Sequence, residues 1–299
     1  GSALIKVHTH QAKYVLRYPF SEVGSFRTTL NLRQDRTVFM ATDVVNLPKP
    51  NVYGYWAGVK AEYVFDNTIK RGLNNHTGTR AKIFGEYFRL LNVNETDVYI
   101  AGFDVRHYIK LYRELYLARR IAGSTSFGKQ KLIYYMGGVD NWFSPKFNYA
   151  IPISTVENFA YQTLATNMRG FKQNIRNGTS FALINAELRL SLFRYFINKP
   201  VKNDFINNFQ VIGFGDVGTA WTGDSPYSDN NALNTTIIGG PPNSYTIILK
   251  NQREPIVEGV GFGLRSRLWG YFIRTDWAWG IDGGEIKPRI FYLSFSLDF

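Results

Sequence analysis

The chain predicts an all-β protein, specifically an antiparallel transmembrane β-barrel with one long loop. Three observations carry that expectation. Apolar and polar residues alternate with a period of two through most of the 299 residues, and no helical period competes with this pattern. Tyrosine (19) and phenylalanine (23) are abundant beside 27 glycines, a balance that favours strands and supplies the aromatic girdles of membrane barrels. Hydrophobic residues reach 44%, yet no stretch approaches the roughly 20 consecutive apolar residues of a spanning helix, so any membrane span must be a strand.

The elements follow in order. From Ala12 to Phe20, residues Tyr14, Leu16, Tyr18 and Phe20 share one face; from Phe26 to Arg33, residues Phe26, Thr28, Leu30 and Leu32 do the same. The short link Ser21-Glu22-Val23-Gly24 makes the two a hairpin. Further strands are expected at Tyr53–Phe65, Thr79–Leu91, Asp97–Leu111 and Glu114–Ala122. Turn-rich Asp66–Gly78 and the polar turn Asn92-Val93-Asn94-Glu95 punctuate them. After a long loop come Phe181–Phe193, Phe205–Trp221, Ile256–Leu268, Tyr271–Trp279 and Arg289–Phe299. The total is about eleven to twelve strands, each near the roughly 9 to 11 residues that cross a bilayer at a tilt.

In the last strand Phe291, Leu293, Phe295, Leu297 and Phe299 share one side, and Tyr292, Ser294, Ser296 and Asp298 the other. Such alternation fits a soluble sandwich as well as a barrel. The charges separate the two cases. Lys13, Arg17, Arg27, Lys60, Arg106, Lys110, Arg189, Arg265 and Arg267 all fall opposite the apolar face, and a single-sign array of that kind suits a wet lumen. A membrane barrel must close, and a count of about eleven does not fit the even number usual in bacterial barrels, so strands are expected to be missing at the N-terminal end.

Composition excludes several functions. With no cysteine there is neither a disulfide framework nor a thiolate metal site. The net charge of +12 is spread through the strands rather than gathered into a patch or tail, which argues against nucleic acid. Gly1-Ser2-Ala3-Leu4 opens no secretory signal. His8 and His10 share a strand face without a third ligand, while His76 and His107 stand alone, so no metal site is expected. No nucleophile elbow, metalloprotease helix or paired-carboxylate setting is present, and neither enzymatic activity nor a cofactor is expected. Gly259, Gly261 and Gly263 alternate along a strand, where they make room in the lumen or permit sharp curvature.

Four motifs remain: Tyr134-Tyr135-Met136-Gly137-Gly138, Met168-Arg169-Gly170-Phe171, Gly213-Phe214-Gly215-Asp216-Val217-Gly218, and Thr77-Gly78-Thr79-Arg80 following Asp66. In these residues the chain resembles the C-terminal barrel portion of the BamA, TamA and FhaC outer-membrane insertase (bacterial surface antigen) superfamily. The resemblance runs from about Ala12 to Phe299 and is strongest after Tyr134. Methionine replaces the commoner valine or leucine before Arg169, and the proline customary near the Asp66 turn is absent.

The resemblance implies a barrel of about sixteen strands, with roughly five preceding Ala12, whose sixth extracellular loop, here residues 134–180, folds into the lumen. It implies an ion pair of Arg169 with Glu187 and Asp216, behind a tip of Met168, Gly170 and Phe171. Parity agrees independently: Glu187 shares a face with Asn185 and Arg189, and Asp216 lies opposite Val217 and Trp221. Gly213, Gly215 and Gly218 stand beside the acid in sequence, and Gly215 and Gly218 are expected to let the loop backbone approach. Phe291, Phe295 and Phe299 resemble a C-terminal delivery signal, with Trp269, Trp277 and Trp279 near strand ends.

For function, the resemblance implies outer-membrane protein insertion and assembly, or polypeptide translocation. The implied partners are outer-membrane lipid, unfolded outer-membrane protein clients or a secreted polypeptide, and accessory lipoproteins. Two other readings stay open: a barrel that anchors or gates an upstream hydrolase, phospholipase or propeller, and a passive porin.

Overall fold

The computed structural model describes residues 5–40, 48–92, 96–154, 159–165, 167–197, 202–239, 245–251 and 253–299. Gly1 to Leu4 and the Val93-Asn94-Glu95 part of the expected polar turn lie outside these residues. Eleven strands pair antiparallel, each with its neighbour in chain order. They are β1 (Ile5–Pro19), β2 (Gly24–Phe39), β3 (Val52–Asp66), β4 (Asn75–Leu90), β5 (Asp97–Tyr112), β6 (Leu115–Gly128), β7 (Ser180–Ser191), β8 (Gln210–Trp221), β9 (Val257–Leu268), β10 (Tyr271–Asp282) and β11 (Ile290–Ser294). Among the described residues no ladder joins β1 to β11, so both outer edges of the sheet are unpaired.

The register fixes two faces. On one, Tyr14, Leu16, Leu30, Leu32, Ile83, Phe103, Ile121, Ile184, Val217, Val260 and Phe291 form an exposed apolar belt. On the other stand the basic residues from Lys13 to Arg267, together with Glu187 and Asp216. Arg36, Arg89 and Arg119 take the apolar side, where long stems can lie along it while the charge reaches water. The turns 113–114 and 269–270 are tight and lie at one end of the sheet, while residues 129–179 and 222–256 form long connections at the other.

Several boundaries differ from expectation for local reasons. Strand β1 starts at Ile5, because pairing with β2 continues through His8 and His10. Strand β6 runs on to Gly128, so the long connection occupies 129–179 rather than 134–180. Two helical turns, Leu192–Phe196 and Asp204–Asn207, replace the end of the expected strand Phe181–Phe193 and the start of Phe205–Trp221, the second capped by the Asn203 side chain accepting from the Ile206 amide. They are too short to leave a helical period in the sequence.

The C-terminal strand is corrected more deeply. Pairing with β10 ends at Ser294, and the chain then turns into the concave side. Phe291 and Phe295 do face outward, but Phe299 is buried against Tyr108 and Ala118 of β5 and β6. The expected row of three outward aromatics therefore does not form. Asp298 explains the turn, since its carboxylate is held by Arg265, Arg274 and Asn74.

The long connection fills the concave side. Its segment Lys131–Met136 pairs in parallel with Phe159–Leu164 and antiparallel with Arg176–Gly178. Leu132, Tyr134, Met136, Met168 and Phe171 from this connection share one buried cluster with Trp56, Phe88, Val98, Phe181 and Leu183 of the sheet. Each such side chain contributes about 1.5 to 3 kcal/mol of burial, enough to hold the connection inside rather than leave it in solvent.

Candidate functional site: the loop-barrel ion network

The site begins with a hairpin inside the loop. Gly137 and Gly138 both adopt positive φ, and Gly138 bridges to Met168: its carbonyl accepts from the Met168 amide, and its own amide donates to the Phe171 carbonyl. This turns the tip Met168-Arg169-Gly170-Phe171 toward β7 to β10. Gly170 has φ +96°, and a Cβ there would strike the backbone of Trp279 and Gly280, so the tip can approach β10 only as glycine.

Arg169 is 1% exposed, as are Glu187 and Asp216. Its guanidinium donates to both oxygens of Asp216, from Nε to Oδ2 and from Nη2 to Oδ1, each at 2.7 Å. Nη1 donates to Glu187 Oε1 at 2.6 Å, and the backbone amide of Arg169 donates to Asp216 Oδ2 at 3.1 Å. The ring of Phe214 lies 3.7 Å beneath the guanidinium carbon. Burial alone would lower the Arg169 pKa; Asp216 and Glu187 more than reverse this and hold it well above the usual arginine value.

The network extends through shared carboxylates. Glu187 also accepts from Arg189, which donates onward to the carbonyls of Asn74 and Phe299. Arg265 pairs with Asp276 and Asp298 at 2.8 Å each, and Arg274 reaches Asp298 at 3.0 Å. The side chains of four arginines and four acids are thus buried together, which makes the group neutral as a whole. A buried charge is tolerated on that condition.

The predicted residues separate into those the structure brings together and those it does not. Arg169, Glu187, Asp216, Met168, Gly170 and Phe171 converge on one point. Gly218 faces the loop, where an added Cβ would lie 3.2 Å from the Met136 side chain. Gly213 and Gly215 do not give the loop room: they point outward, and a Cβ at either meets nothing within 4 Å. Strand alternation is the cause, because residues flanking an inward acid must face out.

The room comes instead from Gly259 and Gly280, which continue the Asp216 row across β9 and β10. A Cβ on Gly259 would collide with the Arg169 carbonyl, and one on Gly280 with the Phe171 ring. Gly261 and Gly263 likewise face the crowded concave side.

Sequence reasoning missed three further residues. Tyr292 accepts from the Gly170 amide at 3.0 Å and donates to the Phe171 carbonyl at 2.7 Å, clamping the tip to β11. Arg176 donates to the Pro255 carbonyl and to Asp282 Oδ1 at 2.6 Å, fastening the far end of the loop. Asn185 bridges Asp216 and the Asn167 carbonyl. The available signal was their position on polar strand faces or beside the tip motif. At the opposite end Arg80 pairs with Asp66 at 2.6 Å across the expected turn.

Among the described residues no group of His, Cys, Asp and Glu could hold a metal ion. None of their helices is long and apolar enough to cross a membrane, which says nothing about strands.

No family model and no curated protein matches this chain. Among solved structures it is similar to BamA from Haemophilus ducreyi lacking POTRA domains 1-3, at 13% identity and a TM-score of 0.57, covering 98% of this chain and 55% of that one. CdiB from Acinetobacter baumannii matches at 14% identity and a TM-score of 0.38, over 97% of this chain and 50% of that one. LpxR from Salmonella typhimurium matches at 9% identity and a TM-score of 0.30, over 95% and 86%. The last two scores are too low to support an argument. Together the sheet, its apolar belt and the first likeness define a β-barrel fold of the BamA type. The chain spans about half the length of that BamA structure.

Proposed function

We propose that this chain forms the barrel part of an outer-membrane protein that inserts or translocates other polypeptides, and that Arg169 pins its inner loop. The observation that carries the reading is the buried Arg169 network inside a BamA-type sheet. A loop held by three charge-assisted bonds obstructs the lumen, which is unsuited to a passive pore.

The edge of the sheet supports the same reading. Strand β11 pairs with β10 at five positions, Arg274↔Ser294 to Ala278↔Ile290, while every other neighbouring pair of these eleven strands shares nine or more. Such a short final ladder costs little to open, and an unpaired edge in hydrocarbon seeks a partner strand. An incoming client strand would meet that need.

The test is reconstitution of the full protein in liposomes with an urea-unfolded barrel client, measuring client folding by gel mobility. Faster folding than in empty liposomes is expected, together with small conductance in a planar bilayer. No acceleration combined with large, steady conductance would overturn the proposal in favour of a porin.

A further inference from the structure

Arginines face arginines across the ladder in three places on the concave side. Arg80, Arg106 and Arg120 are successive register partners on β4, β5 and β6. Arg265 faces Arg274 across β9 and β10, and Arg17 faces Arg27 across β1 and β2. Like charges directly opposite each other destabilise a ladder. An anion placed between them removes that cost.

In two of the three places the chain supplies the anion. Asp104 takes Arg106 at 2.9 Å and Arg120 at 2.7 Å, and Asp66 takes Arg80 at 2.6 Å. Asp298 takes both Arg265 and Arg274, at 2.8 and 3.0 Å. The third place has none. Among the described residues the side chains of Arg17 and Arg27 make no hydrogen bond or ion pair, and the Nε of Arg27 is buried without a partner. Glu62 is the register neighbour of Arg27 on β3, but its carboxylate is engaged by Lys60 at 3.2 Å.

A cavity of about 430 Å³ opens beside this pair, between the sheet and the loop. Val15 and Thr29, the next inward pair along the same two strands, line it, as do Gln11, Lys13, Asn31 and Lys60. Lys13 and Arg17 stand four residues apart on β1, about 13 Å, which matches side chains at i and i+4 of an extended peptide. The Gln11 and Asn31 amides, already joined at 2.8 Å, have further hydrogen-bonding capacity for a peptide main chain.

We propose that Arg17 and Arg27 form a carboxylate-binding site, and that the groove beside them holds an extended acidic segment of another polypeptide. The proposal rests on the polypeptide-handling reading above and names the chemistry of the segment handled. A carboxylate suits the pair because one planar group can accept from two guanidinium forks, as Asp104 does from Arg106 and Arg120 elsewhere in this sheet.

The test is fluorescence anisotropy on the full protein in detergent micelles, with a labelled peptide carrying glutamate at every fourth position and a twin carrying glutamine. The glutamate peptide should bind at least tenfold more tightly than its twin. The Arg17→Gln/Arg27→Gln variant should lose at least tenfold in affinity, while Arg119→Gln, on the outer face, should match the wild type. Should the double variant not fold, Arg17→Gln alone suffices, because Arg17 is exposed on an edge strand. Equal binding of the two peptides, or undiminished binding by the variant, overturns the site. Displacement of the peptide by inorganic phosphate at the same concentration overturns the assignment of a polypeptide. Absent peptide binding with client folding intact in liposomes would overturn this inference alone; peptide binding without client folding would overturn the proposed function alone.

Discussion

Replacing Arg169 with alanine should unseat the loop, and the structure sets the size of the effect. The guanidinium supplies three side-chain hydrogen bonds, two to Asp216 and one to Glu187, all in a site closed to water. Removing one partner of a buried pair costs about 3 to 5 kcal/mol. Here neither acid is left bare: Asp216 keeps Asn185 and the residue-169 amide, and Glu187 keeps Arg189. The lower end therefore applies, about 3 kcal/mol, or roughly 150-fold in the ratio of seated to unseated loop.

The absence of cysteine makes the assay clean. A single cysteine introduced as Ile175→Cys, at a loop position 7% exposed, should be alkylated at a rate set by loop opening. Adding Arg169→Ala should raise that rate about 100-fold. Arg169→Lys, which keeps the charge but not the two-pronged contact with Asp216, should fall between. An alkylation rate within about fivefold of the parent after Arg169→Ala would refute the pinning argument.

Three other outcomes follow from the same geometry. Gly259→Ala should open the loop in this assay, because its Cβ meets the Arg169 carbonyl, whereas outward Gly215→Ala should change stability by less than about 0.5 kcal/mol; equal effects would contradict the facing of these glycines. Tyr292→Phe leaves the buried Gly170 amide and Phe171 carbonyl without their shared hydroxyl and should cost about 1 to 3 kcal/mol in denaturant unfolding, with no loss counting against the clamp. Arg169→Ala with Arg189→Ala should cost at least about 1 kcal/mol more than the sum of the single changes, since only the pair strips Glu187 of both cations; additivity in a double-mutant cycle would break the shared network.

What could be read from the chain depended on whether backbone geometry or tertiary pairing carried the signal. The inward face of Lys13, Arg27, Arg189 and Arg265 was legible, because strand alternation has a fixed period and charge reveals its phase. Glu187 and Asp216 were legible for the same reason. Gly215 is near Asp216 in sequence but not near the loop in space, because alternation sends it, like Gly213, outward. The glycines that do make room, Gly259 and Gly280, lie beside Asp216 only through register with β9 and β10. Phe299 followed the outward period in sequence, yet its neighbour Asp298 is drawn inward by Arg265 and Arg274, whose proximity is set by the folded sheet.

Charge divides the concave side into two unlike halves. Under β7 to β11 the arginines and acids balance, their hydrogen bonds are largely made within the chain, and the loop and the C-terminal residues occupy the space. Under β1 to β4 the inward cations Lys13, Arg17, Arg27, Arg33, Lys60, Arg80 and Lys82 outnumber the inward acids Asp35, Glu62, Asp66 and Glu86, and a cavity remains. A neutral, packed half resists change because each charge there is held by several partners. The basic, open half has unused charge and room. The geometry therefore puts the fixed structure at the loop and the capacity to bind at β1 to β3, so variants of Arg169 should act through stability and variants of Arg17 and Arg27 through affinity.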